Sequence, residues 1–158
     1  MNNYFYVKTL SRAIEVARIL GKDEDIKGFE KKISQLKTAM TEAYFNKWDG
    51  NFLGCVQGAN AFAVDIGIGD ERTYRNLVEY YNKLGCYDTG IFGTDIVTRV
   101  LFERGDGEVA LKLLLSEETV SFHDWKERGA TTFYEYWSDS LRDRSHNHPM
   151  FGAVVAYF

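Results

Sequence analysis

The sequence predicts an all-α fold of antiparallel helical hairpins, and three observations carry that prediction. Proline occurs once in 158 residues, so little interrupts helix propagation. Long stretches repeat their apolar residues at the alternating three- and four-residue steps of a helix. Neighbouring stretches also differ in character, some apolar on one side and some nearly all round, as in a wet outer layer over a buried inner one. Hairpins of that kind build either a helical solenoid or an α/α barrel. No fixed repeat period or repeated signature supports the solenoid.

The elements follow in order. Residues 4–21 place Val7, Leu10, Ile14 and Ala17 on one face, and Gly21 ends the helix as a left-handed cap. Residues 23–45 carry the clearest stripe, Ile26, Phe29, Ile33, Leu36, Met40 and Ala43, with Lys31, Lys32, Gln35 and Lys37 on the other faces and Asp23 as the expected N-cap. The two form a hairpin with a very short link. "NKWDGNFLG" (46–54) reads as a tight turn or short β-hairpin. "QGANAFAVDIGIG" is small or apolar nearly all round, so the helix expected within 56–67 is buried. An amphipathic helix returns over 71–85 with Tyr74, Leu77, Val78, Tyr81 and Leu84. "DTGIFGTDI" (88–96) reads as glycine-punctuated loop, with Thr94 or Asp95 capping a helix to about 104. Another helix spans 107–115, a long aromatic loop follows, and Pro149 opens a final helix. Because that helix stops at Phe158 without cap or polar tail, the chain is expected to be part of a longer one.

Composition narrows the function. Hydrophobic content of 45% with 27% charged residues is that of a water-soluble globular domain, while 15% aromatic residues is high. The net charge of −4 disfavours nucleic acid, which needs a concentrated basic face; Lys31-Lys32 and Arg142/Arg144 are short solvated clusters. No apolar run approaches a membrane span, and "MNNYFYVKTLSR" shows no export signal, which leaves the compartment open. Cys55 and Cys86 lack C-x-x-C spacing and a histidine at ligand distance. They read as buried free thiols, so neither a metal nor another cofactor is expected.

The chemistry concentrates in "RGATTFYEYWSDS" (128–140). Thr131-Thr132 followed by aromatics favours an extended strand. Period-two geometry then sets Phe133, Glu135 and Trp137 on one face and Thr132, Tyr134 and Tyr136 on the other. A carboxylate between two rings is partly desolvated, a setting that suits proton transfer. Aromatic faces also stack on the C–H faces of sugars while carboxylates hold hydroxyls. The alternative is a packed wall in which Glu135 accepts a tyrosine hydroxyl or a main-chain amide.

"GATTFYEYW" (129–137), "NHPMFGAVV" (147–155) and "TGIFGT" (89–94) ahead of "FERGDGEVALKLL" resemble segments of the bacterial α-L-rhamnosidases of glycoside hydrolase family 78. The resemblance is specific over 88–158, loose over 55–86, and limited to helical architecture over 1–45. It implies about half of an (α/α)6 barrel, the C-terminal part of one catalytic domain over 1–158, and an inverting hydrolase that releases terminal α-L-rhamnose. In such enzymes an acid protonates the leaving oxygen while a carboxylate ~6.5–9.5 Å away activates water. By motif, Glu135 holds the place of the general base, and the general acid lies in the N-terminal half of the barrel. Trp137, His148, Phe133 and Trp125 match or flank positions beside the sugar.

Asn147 or His148 is alternatively a cap for the last helix, and Asp139 and Asp124 read as surface or capping residues. Lys126 stands where the family has glycine, the spacing from Trp125 to Gly129 is short, and Tyr134 replaces a tryptophan. Two other functions remain open: a glycosidase with the same barrel and a different sugar, and a non-catalytic helical interaction module. Half a barrel would also expose inner-ring apolar surface, so a two-fold dimer over that face is expected of the isolated chain.

Overall fold

A computed structural model describes residues 1–138 and 145–158. Asp139, Arg142 and Arg144 therefore lie outside the described residues. Seven α-helices, a two-residue-per-strand hairpin and a closing 3-10 helix are present among the described residues. Helices α1 (Asn2–Ile19) and α2 (Asp23–Tyr44) pair as the first hairpin, α3 (Ala59–Asp65) and α4 (Glu71–Leu84) as the second, and α5 (Ile91–Glu103) and α6 (Gly107–Leu114) as the third. The Pro149–Tyr157 3-10 helix then packs on α5. The result is the expected half-barrel of helical hairpins.

Burial separates two layers. The face of α5 built from Ile96, Val97, Val100 and Leu101 is sealed, whereas α2 has no fully buried residue and lays only a half-buried stripe on its neighbours. Inner α1, α3, α5 and the 3-10 helix thus alternate with outer α2, α4 and α6. One charged cluster ties three inner helices together. Asp65 on α3, its side chain 5% exposed, accepts from Tyr4 of α1 at 2.5 Å and Arg99 of α5 at 2.6 Å, with Lys8 at 3.1 Å. Burial alone raises the Asp65 pKa, but the hydrogen bonds from Arg99 and Tyr4 outweigh it and hold the carboxyl at about 2.

Several elements depart from expectation for identifiable reasons. Asp23 is the first helical residue rather than the N-cap, which is Lys22; Asp23, Glu24 and Asp25 instead place negative charge at the positive end of the helix. The short hairpin is present as β1 (Phe45–Asn46) and β2 (Asn51–Phe52), and Asn60 anchors it by accepting from the Phe52 amide at 2.8 Å. The buried helix of 56–67 shrinks to α3, because Leu53–Gly58 is a run of tight left-handed turns. Residues 91–94 are helix rather than loop. Gly93 is there for packing: a Cβ would come within 2.7 Å of the Thr89 side chain. The aromatic loop contains an unexpected helix, α7 (Phe122–Glu127), capped by the Ser121 hydroxyl, which accepts from the Asp124 amide at 3.0 Å. Cys55 is buried and Cys86 half-buried. Burial, aided by the Asp88 charge, pushes the Cys55 thiol up to about 12 and raises Cys86 as well.

Candidate active site

Three parts of the chain border inner helices: 53–58 before α3, 88–90 before α5, and the described residues 130–138 and 145–148 before the 3-10 helix. They meet at one end of the half-barrel. The Gln57 amide donates to Asp88 at 2.7 Å, and the Trp137 indole N–H donates to the Thr89 carbonyl at 2.9 Å.

The Glu135 segment runs beside residues 145–148 with antiparallel main-chain bonding. The Glu135 amide donates to the Ser145 carbonyl at 2.9 Å and the His148 amide to the Phe133 carbonyl at 2.8 Å. The Thr132 hydroxyl donates to the His146 carbonyl. Glu135 is half-buried, and its Oε2 accepts from the Ser145 amide at 3.1 Å. The segment does not keep the extended course expected from the sequence: the chain bends at Thr131–Thr132 and again at Glu135–Trp137, and it is Phe133 and Glu135 that bond to residues 145–148 through their main chains.

Phe133 and Trp137 of the same segment enter an aromatic cluster. Trp125 and Trp137 are 3% and 9% exposed, with ring centroids 4.9 Å apart. Phe151 packs 4.6 Å from Trp137, Phe122 bridges both tryptophans, and Tyr87 stacks on Trp137 at 5.9 Å and 6°. Both indole N–H groups are satisfied inside the protein, Trp125 by the Trp137 carbonyl at 2.9 Å and Trp137 by Thr89. This satisfaction fixes the rings in place. Phe133 is half-buried on Phe122, and a Cβ on Gly152 would approach its ring to 2.9 Å. Trp125 and Phe133 share a cavity of about 210 Å³ with Lys126, Ala130, Thr131 and Thr132.

The structure thus brings Phe133, Trp137 and Trp125 into one cluster, with Glu135 carried between Phe133 and Trp137 in the chain. Alternation is imperfect, because Tyr134 also reaches Trp125 at 5.3 Å while stacking on His146 at 4.2 Å. His148 lies one rung along from Glu135. Its Nδ1 is buried without a hydrogen-bond partner, and its side chain does not cap the 3-10 helix. Asp124 pairs with Arg128 at 2.5 Å on the surface of α7. Among the described residues no group of three His, Cys, Asp or Glu side chains is placed to hold a metal ion.

Sequence reasoning missed Phe122, Phe151, Tyr87 and Thr89, which support the cluster. The available signal was the Ser121 cap followed three residues later by Asp124, which marks a helix start and would have turned Phe122 inward.

The model of the bacterial alpha-L-rhamnosidase 6 hairpin glycosidase domain matches residues 1–158. A curated α-L-rhamnosidase of Formosa agariphila is 24% identical over 163 residues, covering 95% of this chain and 18% of the relative. The α-L-rhamnosidase of Dictyoglumus thermophilum superposes with a TM-score of 0.88 at 27% identity, over 98% of this chain and 18% of that one. The enzymes of Aspergillus terreus and of Streptomyces avermitilis, the latter solved with L-rhamnose, share the fold at TM-scores of 0.84 and 0.83. Their identities are 18% and 24%, and each match covers 96% of this chain and 19% or 16% of theirs. The chain, spanning under a fifth of the length of these relatives, belongs to the bacterial α-L-rhamnosidase six-hairpin glycosidase domain family.

Proposed function

We propose that the chain forms part of an inverting glycoside hydrolase that releases terminal α-L-rhamnose, with Glu135 as the general base. The observation that carries this reading is a half-buried carboxylate, oriented by the Ser145 amide on the segment that carries Phe133 and Trp137 into a rigid aromatic cluster, in a chain of this family. A base in this role takes a proton from water as the water attacks the anomeric carbon, while an acid on the opposite face protonates the departing oxygen. The acid belongs to a part of the barrel that this chain does not contain.

Phe133 and Trp137 flank the base and exclude bulk water, and Trp125 backs them from within. A turn of the His148 ring that brings its buried, unpartnered Nδ1 to a sugar hydroxyl would be favoured, since a polar atom left without a partner costs about 1–3 kcal/mol. The L-rhamnose bound in the Streptomyces avermitilis enzyme supports the same sugar here. Lys126 and Tyr134, which depart from the family pattern, favour as a second reading a different sugar on the same barrel. A panel of aryl glycosides separates the two. The isolated chain is expected to be inactive, and to self-associate through its exposed inner face in light scattering.

The test is the anomer first released from an aryl α-L-rhamnoside by the full-length protein, followed by proton NMR. Inversion yields β-L-rhamnose before mutarotation. Initial release of the α-anomer would exclude this mechanism.

A further inference from the structure

The segment ahead of α3 is strained in a way that nothing within it explains. Leu53, Cys55 and Gln57 adopt φ values of 49°, 67° and 49°, and Gly54 and Gly58 lie at 69° and 75°. Three side-chain-bearing residues in the left-handed region within five positions cost free energy, and such geometry persists only when its surroundings over-determine it. The group that does so is Asp88. Its Oδ2 accepts from the Gln57 amide at 2.7 Å and the Tyr80 hydroxyl at 2.8 Å, and its Oδ1 from the Tyr81 hydroxyl at 2.7 Å. Hydrogen bonds to a carboxylate are the strong kind, and α4, which carries both tyrosines, supplies a rigid base.

Asp88 also touches the other wall of the site by two routes. Its neighbour Thr89 provides the carbonyl that holds the Trp137 indole. Tyr81 packs 5.8 Å from Tyr87, which stacks on Trp137. Trp137 is two residues from Glu135. Leu53, Val56 and Gln57 line a cavity of about 260 Å³ together with Phe62, Asp88 and Thr89.

We propose that Asp88 is a positioning residue: one carboxylate fixes both the left-handed turn 53–58 and, through Thr89 and Tyr81–Tyr87, the Trp137 wall that carries Glu135. Its catalytic consequence rests on the reading of Glu135 as the base; the mechanical coupling does not. Removing the carboxylate frees the turn and loosens the wall together. Asparagine in its place keeps an acceptor for the Gln57 amide and offers a donor to the Tyr81 hydroxyl, so it recovers most of the loss.

Hydrogen exchange by mass spectrometry on the full-length protein tests the coupling. In Asp88→Ala, amides of 53–58 and 133–137 are expected to exchange about tenfold faster or more, with α2 and α6 unchanged. On an aryl rhamnoside kcat is expected to fall about tenfold with KM within about threefold, and Asp88→Asn to recover most of both effects. Acceleration confined to 53–58, or spread evenly over the chain, overturns the proposal, as does an unchanged kcat alongside normal exchange at 133–137. Should Asp88→Ala not fold, Tyr81→Phe carries the same test: the same two segments loosen to a smaller degree, and loosening of neither overturns it. Full turnover in Glu135→Gln would instead sink the base, while the exchange pattern still decides the role of Asp88.

Discussion

The helical ring and the aromatic loop are held together by different physics. Around the ring, apolar burial is supplemented by carboxylate links: Asp65 joins α1, α3 and α5 through Tyr4 and Arg99, Asp95 of α5 accepts from Tyr157 of the 3-10 helix, and Asp106 accepts from Tyr74 of α4. In the loop, rings pack on rings; the cross-links include neutral hydrogen bonds from indole or amide to carbonyl, with charge entering where the Ser145 amide meets the Glu135 carboxylate and where Arg128 meets Asp124 and the Trp137 carbonyl. The ring therefore answers chiefly to loss of a buried charge, whereas the loop answers chiefly to loss of volume. The candidate base sits on the volume-sensitive side, held by the Ser145 amide and by the packing of Trp137.

Trp137→Ala strikes the loop hardest. It empties a buried ring shared by Trp125, Phe122, Phe151 and Tyr87, and unfolding in urea should show a loss of about 3–5 kcal/mol. Trp137→Phe keeps much of the volume but forfeits the bond to Thr89, so its cost is smaller.

Asp65→Ala is the matching blow to the ring. It leaves Arg99, mostly buried, with only the longer, exposed ion pair to Glu103, for an expected loss of about 3 kcal/mol by the same measurement. The wild-type acid response shows the same link. Because the folded carboxyl sits at about 2 and the unfolded one near the ordinary value of 3.8, the unfolded chain binds more protons between those values. Stability from this group is present above pH ~4 and fades as pH falls toward 2, by about 2 kcal/mol in all. Asp65→Asn should flatten that limb in urea titrations at stepped pH, and an unchanged slope would assign the acid response elsewhere.

Gly93→Ala probes the seam between the regions. The added methyl would press on Thr89, whose carbonyl holds Trp137, for an expected loss of about 1–3 kcal/mol. Smallest of all is Arg12→Ala, which breaks an exposed pair with Glu15 on α1; its effect should stay within about 0.5 kcal/mol.

What was legible in the sequence follows the same division. Helices α1, α2, α4 and α6 announce themselves through local periodicity, because each lays one face on the ring and keeps another in water. The start of α5 did not, because Gly90 and Gly93 look like loop punctuation and only the Thr89 contact reveals why Gly93 lacks a side chain. Likewise the turns at 53–58 are invisible locally: Leu53, Cys55 and Gln57 do not favour left-handed backbone, and Asp88 imposes it from 31 residues beyond Gln57. At the site, the entry of Phe133 and Trp137 into one cluster could be read from two-residue alternation, but the bends at 131–132 and 135–137 could not. Nor could the deep burial of Trp125, since it depends on Phe151 and Phe122 arriving from other segments.

The role of Glu135 is tested most directly by Glu135→Gln in the full-length protein, with turnover of an aryl α-L-rhamnoside and calorimetric binding of L-rhamnose measured on the same preparation. Glutamine preserves shape and the acceptor for the Ser145 amide but cannot take a proton. Turnover should fall by a factor on the order of 10²–10⁴ while rhamnose still binds. Turnover near the wild-type rate, with binding intact, would contradict the assignment of Glu135 as the base.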